Sequence, residues 1–201
     1  MDWQLVPLAD WDNRTTQKVA RLHAEVMHTL LSELGLPIVQ RYYQLAQQDS
    51  TAVGYVARTS DGQTVGWAMG TPAPDTINAG LRSPLPWFAK QMVRLLLTRP
   101  RFLLQLLRSV LGHGEQPPMA PNMLELTYIG VAPDAQRQGL GKHLLEQFVK
   151  EARERGYRSV VLSVETDNPE ALHLYRQAGF DITHTFKEGA FQRHRMELKL
   201  A

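Results

Sequence analysis

Apolar residues recur at helical spacing in several parts of the chain. The first part lies between Asp12 and Gly35, where the repeat falls on Val19, Leu22, Val26, Leu30 and Leu34. This spacing predicts one long amphipathic helix that begins at an Asp12 or Asn13 N-cap and ends at Gly35. A second helix is predicted from Pro37 to Gln48, because proline is favoured in the first turn of a helix.

Short apolar and β-branched runs predict strands around these helices. The predicted strands cover residues 3–9, 51–58, 64–71, 123–132, 159–165, 180–187 and 191–200. Two more helices lie between the late strands: one ends near Arg155, and the other runs from an Asn168 N-cap to Gly179. The order is βααββ, an insertion, then βαβαββ. It predicts a single α/β domain over residues 1–201, with a mixed central sheet flanked by helices.

Composition narrows the class of protein without naming a function. The chain has 22 lysines and arginines against 20 aspartates and glutamates, so its charge does not favour binding to nucleic acid. Cysteine is absent, which excludes disulfides, thiolate metal sites and a cysteine nucleophile. The seven histidines show no metal-ligand spacing, and no metal is predicted. The N-terminus lacks a signal-peptide pattern and no apolar run is long enough to span a membrane, which predicts a cytoplasmic location.

The stretch "VAPDAQRQGLGKHLLEQF" joins a predicted strand to a predicted helix through a loop with two glycines. Backbone N–H groups at a helix N-terminus have no partner within the helix, and the helix dipole there favours an anion. Glycine lacks the Cβ that would keep an anion away from the backbone. Arg137 and Lys142 add positive charge. The loop therefore predicts an anion site, although a tight turn with glycine for packing explains it equally well.

A second motif accompanies this loop. The loop has the form Q/R-x-x-G-x-G/A, and "NPEALHLYRQAGF" follows about 27 residues later with the form N-x-x-A-x-x-L-Y-x-x-x-G-F. Together they resemble the GNAT superfamily, the acyl-CoA-dependent N-acyltransferases. The resemblance is strongest over residues 123–180, and residues 1–73 match only the order of elements. It implies a GNAT-like fold, and acetyl-CoA as co-substrate.

The resemblance also implies roles for individual residues. The loop would hold the pyrophosphate of coenzyme A, through the cofactor-binding residues Gln136, Arg137, Gln138, Gly139, Leu140, Gly141 and Lys142. The main chain of Ile129 and Val131 would bind the pantetheine arm, in a strand splayed from its parallel neighbour, with Gly130 easing a bulge. Asn168 would contact the cofactor, serve as a helix N-cap, or do both. Tyr175 would protonate the departing thiolate, or be a tyrosine of the core.

Glu125 is the candidate general base for the amine that attacks the thioester. It occupies the position of a catalytic glutamate in some members of the family. Strict alternation places it on the same face of its strand as Thr127, Ile129 and Val131. The alternative is a surface glutamate, or one paired with an arginine.

An insertion at residues 74–121 separates two strands that the family usually joins by a short turn. Pro100 divides two predicted amphipathic helices, at about 87–98 and 101–111. Their polar strips are narrow and basic, with Lys90, Gln91 and Arg94 on the first and Arg101, Gln105 and Arg108 on the second. Three interpretations stay open: a lid over the acceptor site, a homodimer interface, and a peripheral membrane contact through residues 76–116.

These features predict an N-acyltransferase that transfers acetyl from acetyl-CoA to a primary amine by direct attack. The acceptor would be a small molecule, and the basic insertion favours an amino sugar or an anionic amine. The alternative hypothesis is a non-catalytic module on the same fold that binds acyl-CoA or associates with a membrane.

Overall fold

The computed structural model of the chain describes residues 2–27, 29–98, 119–188 and 191–200. Strands and helices alternate in the predicted order, with short 3-10 turns at Leu8–Asp10 and Pro133–Ala135. The strands are β1 Trp3–Pro7, β2 Val53–Thr59, β3 Thr64–Thr71, β4 Met123–Val131, β5 Ser159–Glu165, β6 Asp181–Glu188 and β7 Phe191–Lys199. The helices are α1 Asn13–Val26, α2 Leu30–Glu33, α3 Leu36–Gln48, α4 Pro74–Gly80, α5 Leu85–Thr98, α6 Leu140–Glu154 and α7 Pro169–Gln177.

Within this part of the chain the strands form one mixed sheet with the order β1-β2-β3-β4-β5-β7-β6. All neighbouring strands are antiparallel except β4 and β5, which are parallel. Each face of the sheet carries its own apolar core. One core contains residues of α6 and α7, and this face is called the α6 side. The other contains residues of α1 and α3, and this face is called the α3 side. The predicted α/β architecture is confirmed.

The first predicted helix is two helices, because a second N-cap interrupts it. α1 begins at the Asp12 N-cap, as expected, but it ends at Val26. Thr29 then caps α2, and it shares a reciprocal capping box with Ser32. The buried ring of His23 lies 3.2 Å from the Thr29 hydroxyl and thereby joins the two helices. Apolar spacing alone did not reveal this break, since the apolar repeat continues through it.

β4 contains a bulge that changes which face its residues occupy. Met69 pairs with Tyr128 while Gly70 pairs with Leu126, so Thr127 is an extra residue on β4. Leu124 and Leu126 therefore lie on the α6 side, and so do Ile129 and Val131 after the bulge. The expectation that Glu125 shares a face with Ile129 and Val131 is wrong.

Gly130 has a different role from the one expected, because the extra residue of the bulge is Thr127. A Cβ at Gly130 would lie 2.5 Å from the ring of Trp67, which is fully buried. The glycine is required by the close approach of that indole. It leaves no room for a larger residue at this point of β4.

β4 and β5 separate after a short stretch of pairing. The register joins only Met123, Leu124 and Glu125 to Ser159, Val160 and Val161. Beyond these pairs β4 continues to Val131 and β5 to Glu165 without pairing to each other. The sheet therefore opens into a gap whose closed end, the vertex, lies at Glu125.

The described part of the insertion consists of α4, α5 and the segment between them. α5 covers the predicted helix at 87–98, and its Trp87 and Met92 pack against the α3-side core. Its other face is open in the described structure, where Leu85 is 70% and Leu97 is 78% exposed. The predicted helix at 101–111, with Arg101, Gln105 and Arg108, lies outside the described residues. Among the helices that are described, none has the length and hydropathy needed to cross a membrane.

Candidate active site

The glycine loop presents unpaired backbone donors at the start of α6. Gly139 is the N-cap and adopts a left-handed conformation with φ of 82°, which lets the chain turn into the helix. No side chain caps this end, and no acidic residue lies in the first turn. The N–H groups of Leu140, Gly141 and Lys142 donate to no other backbone group in the described chain. A Cβ at Gly139 would meet nothing within 4 Å, so open space adjoins these donors.

The polar side chains of the loop are exposed. Gln136 donates from Nε2 to the Val131 carbonyl at 3.2 Å, and Gln138 donates to the Asp134 carbonyl at 2.9 Å. Lys142 lies 3.8 Å from Glu146 in a solvent-exposed pair. Arg137 adopts positive φ, at 58°. The predicted loop residues are thus gathered at one helix end, where backbone and basic side chains can bind an anion together.

The open edge of β4 carries backbone groups that face the gap. The Ala132 N–H donates to the Val65 carbonyl of β3 at 2.9 Å. Hydrogen-bonding direction alternates along an antiparallel strand, so Gly130 and Tyr128 also point to β3. Ile129 and Val131 therefore direct their N–H and carbonyl groups away from β3, toward the gap. The Val131 carbonyl already accepts from Gln136, and the other groups can bind an extended polar chain that lies beside β4.

Tyr175 lies on α7 in the α6-side core. Its ring packs against Phe180, with the ring centroids 5.9 Å apart. A tyrosine hydroxyl is protonated at neutral pH, and burial raises the pKa of this one further above its usual value. That hydroxyl has no hydrogen-bond partner among the described residues. A protonated donor without a partner is suited to an anion that forms during a reaction.

Asn168 is the N-cap of α7. Its side-chain oxygen accepts the Ala171 N–H at 3.0 Å. Pro169 follows in the first turn, as predicted. The N-cap interpretation of Asn168 is therefore confirmed, and its contact with a cofactor stays a prediction.

Glu125 lies at the vertex of the gap, on the α3 side, and is paired with Arg195 of β7. Arg195 donates from Nη1 to Oε1 at 2.9 Å and from Nη2 to Oε2 at 3.3 Å. Nη1 also lies 3.1 Å from the Ser163 hydroxyl, and Nη2 lies 3.0 Å from the Met119 sulfur. The alternative weighed for Glu125, a pairing with an arginine, is what the structure contains. The carboxylate is held at a defined place beside the gap.

An aromatic layer supports the bulge of β4 from the α3 side. Tyr128 contacts His23 and Tyr42 edge to face, at centroid distances of 4.6 and 5.3 Å. His23 lies 2.7 Å from the Tyr43 hydroxyl, through Nδ1. Burial lowers the pKa of this histidine to about 4, so its ring is neutral at physiological pH. The layer belongs to the α3-side core, on the same side of the sheet as Glu125.

Comparison with models of known protein families agrees with these features: the glycine loop, the splayed parallel strands and the helix that carries Tyr175. The model of the Acetyltransferase (GNAT) family matches residues 24–180. The chain belongs to the GNAT acetyltransferase family.

Relatives that carry the name mycothiol acetyltransferase match part of the chain. A mycothiol acetyltransferase from Arthrobacter sp. (strain FB24) is 41% identical over 69 residues, which cover 34% of this chain and 20% of that protein. The mycothiol acetyltransferase of Geodermatophilus obscurus is 36% identical over 100 residues, covering 50% and 32%. The chain thus matches only a fifth to a third of the length of these relatives.

Solved GNAT structures share the fold over the whole chain. The ribosomal-protein-S18-alanine N-acetyltransferase of Escherichia coli superposes with a TM-score of 0.62 at 16% identity, covering 100% of this chain and 95% of that one. A GNAT acetyltransferase from Streptococcus pneumoniae gives a TM-score of 0.62 at 16% identity, with both chains fully covered. Identities this low establish the fold alone.

The structure of this GNAT protein also adds site residues that the sequence did not single out. Arg195 and Ser163 come from strands far from Glu125 in sequence, and Tyr42 comes from α3. No local pattern singled out Arg195, which lies between His194 and Met196 with Arg193 two positions before it. In the parts of the chain that are described, no group of three histidines or acidic residues could hold a metal ion.

Proposed function

We propose that this chain transfers acetyl from acetyl-CoA to a primary amine by direct nucleophilic attack. The observation that carries the proposal is the gap between β4 and β5, with the unpaired N–H groups of the first turn of α6 at its open end. Coenzyme A would place its pyrophosphate against the first turn of α6, with help from Arg137 and Lys142. Its pantetheine arm would lie along β4 and bind the main chain of Ile129 and Val131. Asn168 would contact the cofactor from the start of α7.

The two candidate proton-transfer residues lie on opposite faces of the sheet. Tyr175 belongs to the α6-side core, and Glu125 lies on the α3 side. A thioester seated in the gap would be approached by the amine from the α3 side. Its sulfur would depart toward the α6 side. The acceptor and the leaving group then occupy separate regions, which suits a direct transfer.

The reaction proceeds by addition and elimination. The amine nitrogen forms a bond to the thioester carbonyl carbon, and Glu125 receives a proton from that nitrogen. The C–S bond then breaks, and Tyr175 donates its hydroxyl proton toward the thiolate. Backbone N–H groups beside the bulge of β4 can stabilise the oxyanion between these steps. The products are an N-acetyl amine and free coenzyme A.

Two measurements test the proposal in order. Isothermal calorimetry with coenzyme A should give a binding isotherm, and the absence of binding at millimolar concentration would remove the cofactor assignment. An acetyl-CoA consumption screen over a library of amines should then identify an acceptor. Binding without turnover on any amine would favour the non-catalytic module instead.

The acceptor class is proposed from charge. Lys90 and Arg94 are exposed on α5, a helix that contains no acidic residue. These cations favour an acceptor that carries a phosphate or carboxylate group. The relatives named mycothiol acetyltransferase make the acceptor of that enzyme one member of the screen.

In an Arg94→Gln variant we expect the KM for anionic amines to rise and the KM for neutral amines to stay constant. Equal KM changes for both groups would contradict the proposal.

A further inference from the structure

Glu125 is held by a two-point contact rather than by a single ion pair. Both of its oxygens accept from Arg195, at 2.9 and 3.3 Å. The planar guanidinium matches the carboxylate with two roughly parallel hydrogen bonds, which fixes orientation as well as position. A lysine could supply the charge but not this fork. The geometry therefore restrains the plane of the carboxylate.

Arg195 is itself anchored from neighbouring elements. Its Nη1 donates to Ser163 of β5, the residue opposite it in the strand register, and its Nη2 lies against the sulfur of Met119. The side chains of Arg195 and Glu125 are only 9% and 15% exposed. Removing two charges from water costs more than a hydrophobic pair of similar size would. A costly pair at this place suggests a role other than stability.

The pair lies where the proposed reaction needs precision. Glu125 is the last residue of β4 that pairs with β5, and Thr127 of the bulge follows two residues later. Arg195 reaches Glu125 across β5, so the contact connects three strands at the vertex of the gap. The Arg193–Glu165 pair joins strands β7 and β5 as well, but it is longer and more exposed than the Arg195–Glu125 pair. Its closest contact is 3.6 Å, and its side chains are 20% and 33% exposed.

We propose that Arg195 is a positioning residue, which orients the Glu125 carboxylate toward the acceptor amine through the fork anchored by Ser163. The inference rests on the proposed function, and it gives Arg195 a part in that function although Arg195 does not touch the reacting atoms. Arg195 acts on the rate of transfer only through Glu125.

A double-mutant cycle tests this role. In Arg195→Lys, which keeps the charge and loses the fork, kcat should fall at least about tenfold. The Kd for coenzyme A should not change. In a Glu125→Gln background the same Arg195→Lys change should have no further effect on kcat. Arg193→Lys is the matched control on the same strand, and it should leave kcat unchanged.

Two results of the cycle would overturn the proposal. One is an Arg195→Lys variant with the kcat of the wild type. The other is an equal loss of kcat in the Glu125→Gln background, since Arg195 would then act independently of Glu125. Full turnover by Glu125→Gln alone removes both the base assignment and the positioning role, and it leaves acetyl transfer itself standing.

Two further measurements keep the proposal testable if Arg195→Lys does not fold or no acceptor is found. Ser163→Ala removes only the 3.1 Å anchor and should lower kcat several-fold, again with no effect in the Glu125→Gln background. Without turnover, NMR of the guanidinium protons should show restricted rotation for Arg195 that is lost in Glu125→Gln. Free rotation in the wild-type protein would contradict the fork.

Discussion

At the scale of single residues, burial shifts two titratable groups in opposite directions and keeps both neutral. It raises the pKa of Tyr175 and lowers the pKa of His23 to about 4, because desolvation disfavours whichever form is charged. Tyr175 thereby retains a proton to donate. His23 retains the neutral ring that binds Tyr43 and Thr29. Glu125 differs from both, since both of its oxygens accept hydrogen bonds from Arg195.

The role of Tyr175 can be tested with Tyr175→Phe. We expect kcat to fall about 10²-fold, since that is the usual contribution of a general acid. The free energy of unfolding should change little, because the hydroxyl makes no hydrogen bond in the described structure. Steady-state kinetics and urea unfolding measure the two effects. Tyr157→Phe, in the loop after α6, is the control. A Tyr175→Phe enzyme with full turnover would rule out the acid assignment.

His23 should make stability depend on pH. Its pKa is about 4 in the folded protein and 6.5 unperturbed, so the unfolded chain binds more protons between these values. Its contribution is therefore fully present above pH 6.5 and is lost as pH falls toward 4. The difference between about pH 7 and about pH 5 is about 2 kcal/mol. Urea unfolding at both pH values should show this loss. His23→Gln should reduce it and His173→Asn should not. An unchanged pH dependence in His23→Gln would refute the account.

At the scale of elements, glycine conformation decides how α6 begins. Gly139 and Gly156 flank the helix, and both have positive φ, at 82° and 79°. A Cβ at either position would meet nothing within 4 Å. An alanine would therefore meet similar backbone strain at the two sites, and its methyl group would have free space at both. They differ only in which end of the helix they occupy, and only Gly139 adjoins the free N–H groups.

This match allows a controlled test of the anion-binding loop. Gly139→Ala and Gly156→Ala should each lose about 1 kcal/mol of unfolding free energy, because alanine resists positive φ. Gly139→Ala should also weaken binding of coenzyme A at least tenfold, since its methyl group enters the open space beside the donors. Calorimetry with coenzyme A measures this difference. If both variants bound coenzyme A equally well, the loop would not hold the pyrophosphate.

At the scale of the whole molecule, the sheet is incomplete between β4 and β5. Among the described residues six strand pairings hold it together, but the parallel pairing ends at Glu125 and Val161. Unpaired backbone groups in a sheet interior are unfavourable unless water or a ligand satisfies them. A ligand that pairs with β4 would therefore satisfy the backbone groups on the β4 side of the gap.

Amide hydrogen exchange can show which N–H groups of β4 form hydrogen bonds with the ligand. In the free protein, the N–H groups of Tyr128 and Gly130 should exchange slowly because they pair with β3. Those of Ile129 and Val131 should exchange faster, since they face the gap. Saturating coenzyme A should slow exchange at Ile129 and Val131 at least tenfold. NMR exchange with and without coenzyme A provides the measurement, and protection that does not alternate along β4 would contradict the assigned orientation.

Sequence periodicity predicted most elements, since each strand and helix buries a face that its own residues define. Periodicity gave the wrong prediction at two places, the first helix and the faces of β4. The Thr29 cap divides the first helix although apolar spacing continues through it. The extra residue at Thr127 reverses the alternation of β4, so the face of Glu125 could not be counted from Val131. Bulges depend on the partner strand and are invisible within one segment.

The sequence by itself determined the α/β architecture, the glycine loop at the start of α6 and the helix that carries Tyr175. These depend on neighbouring residues, whose spacing sets local backbone conformation. Only the tertiary structure decided where β4 and β5 separate, the face that Glu125 occupies and its pairing with Arg195. Glu125 and Arg195 are 70 positions apart along the chain, and no local pattern relates them. Their contact exists because β7 inserts beside β5, which brings a buried guanidinium to the Glu125 carboxylate at the vertex.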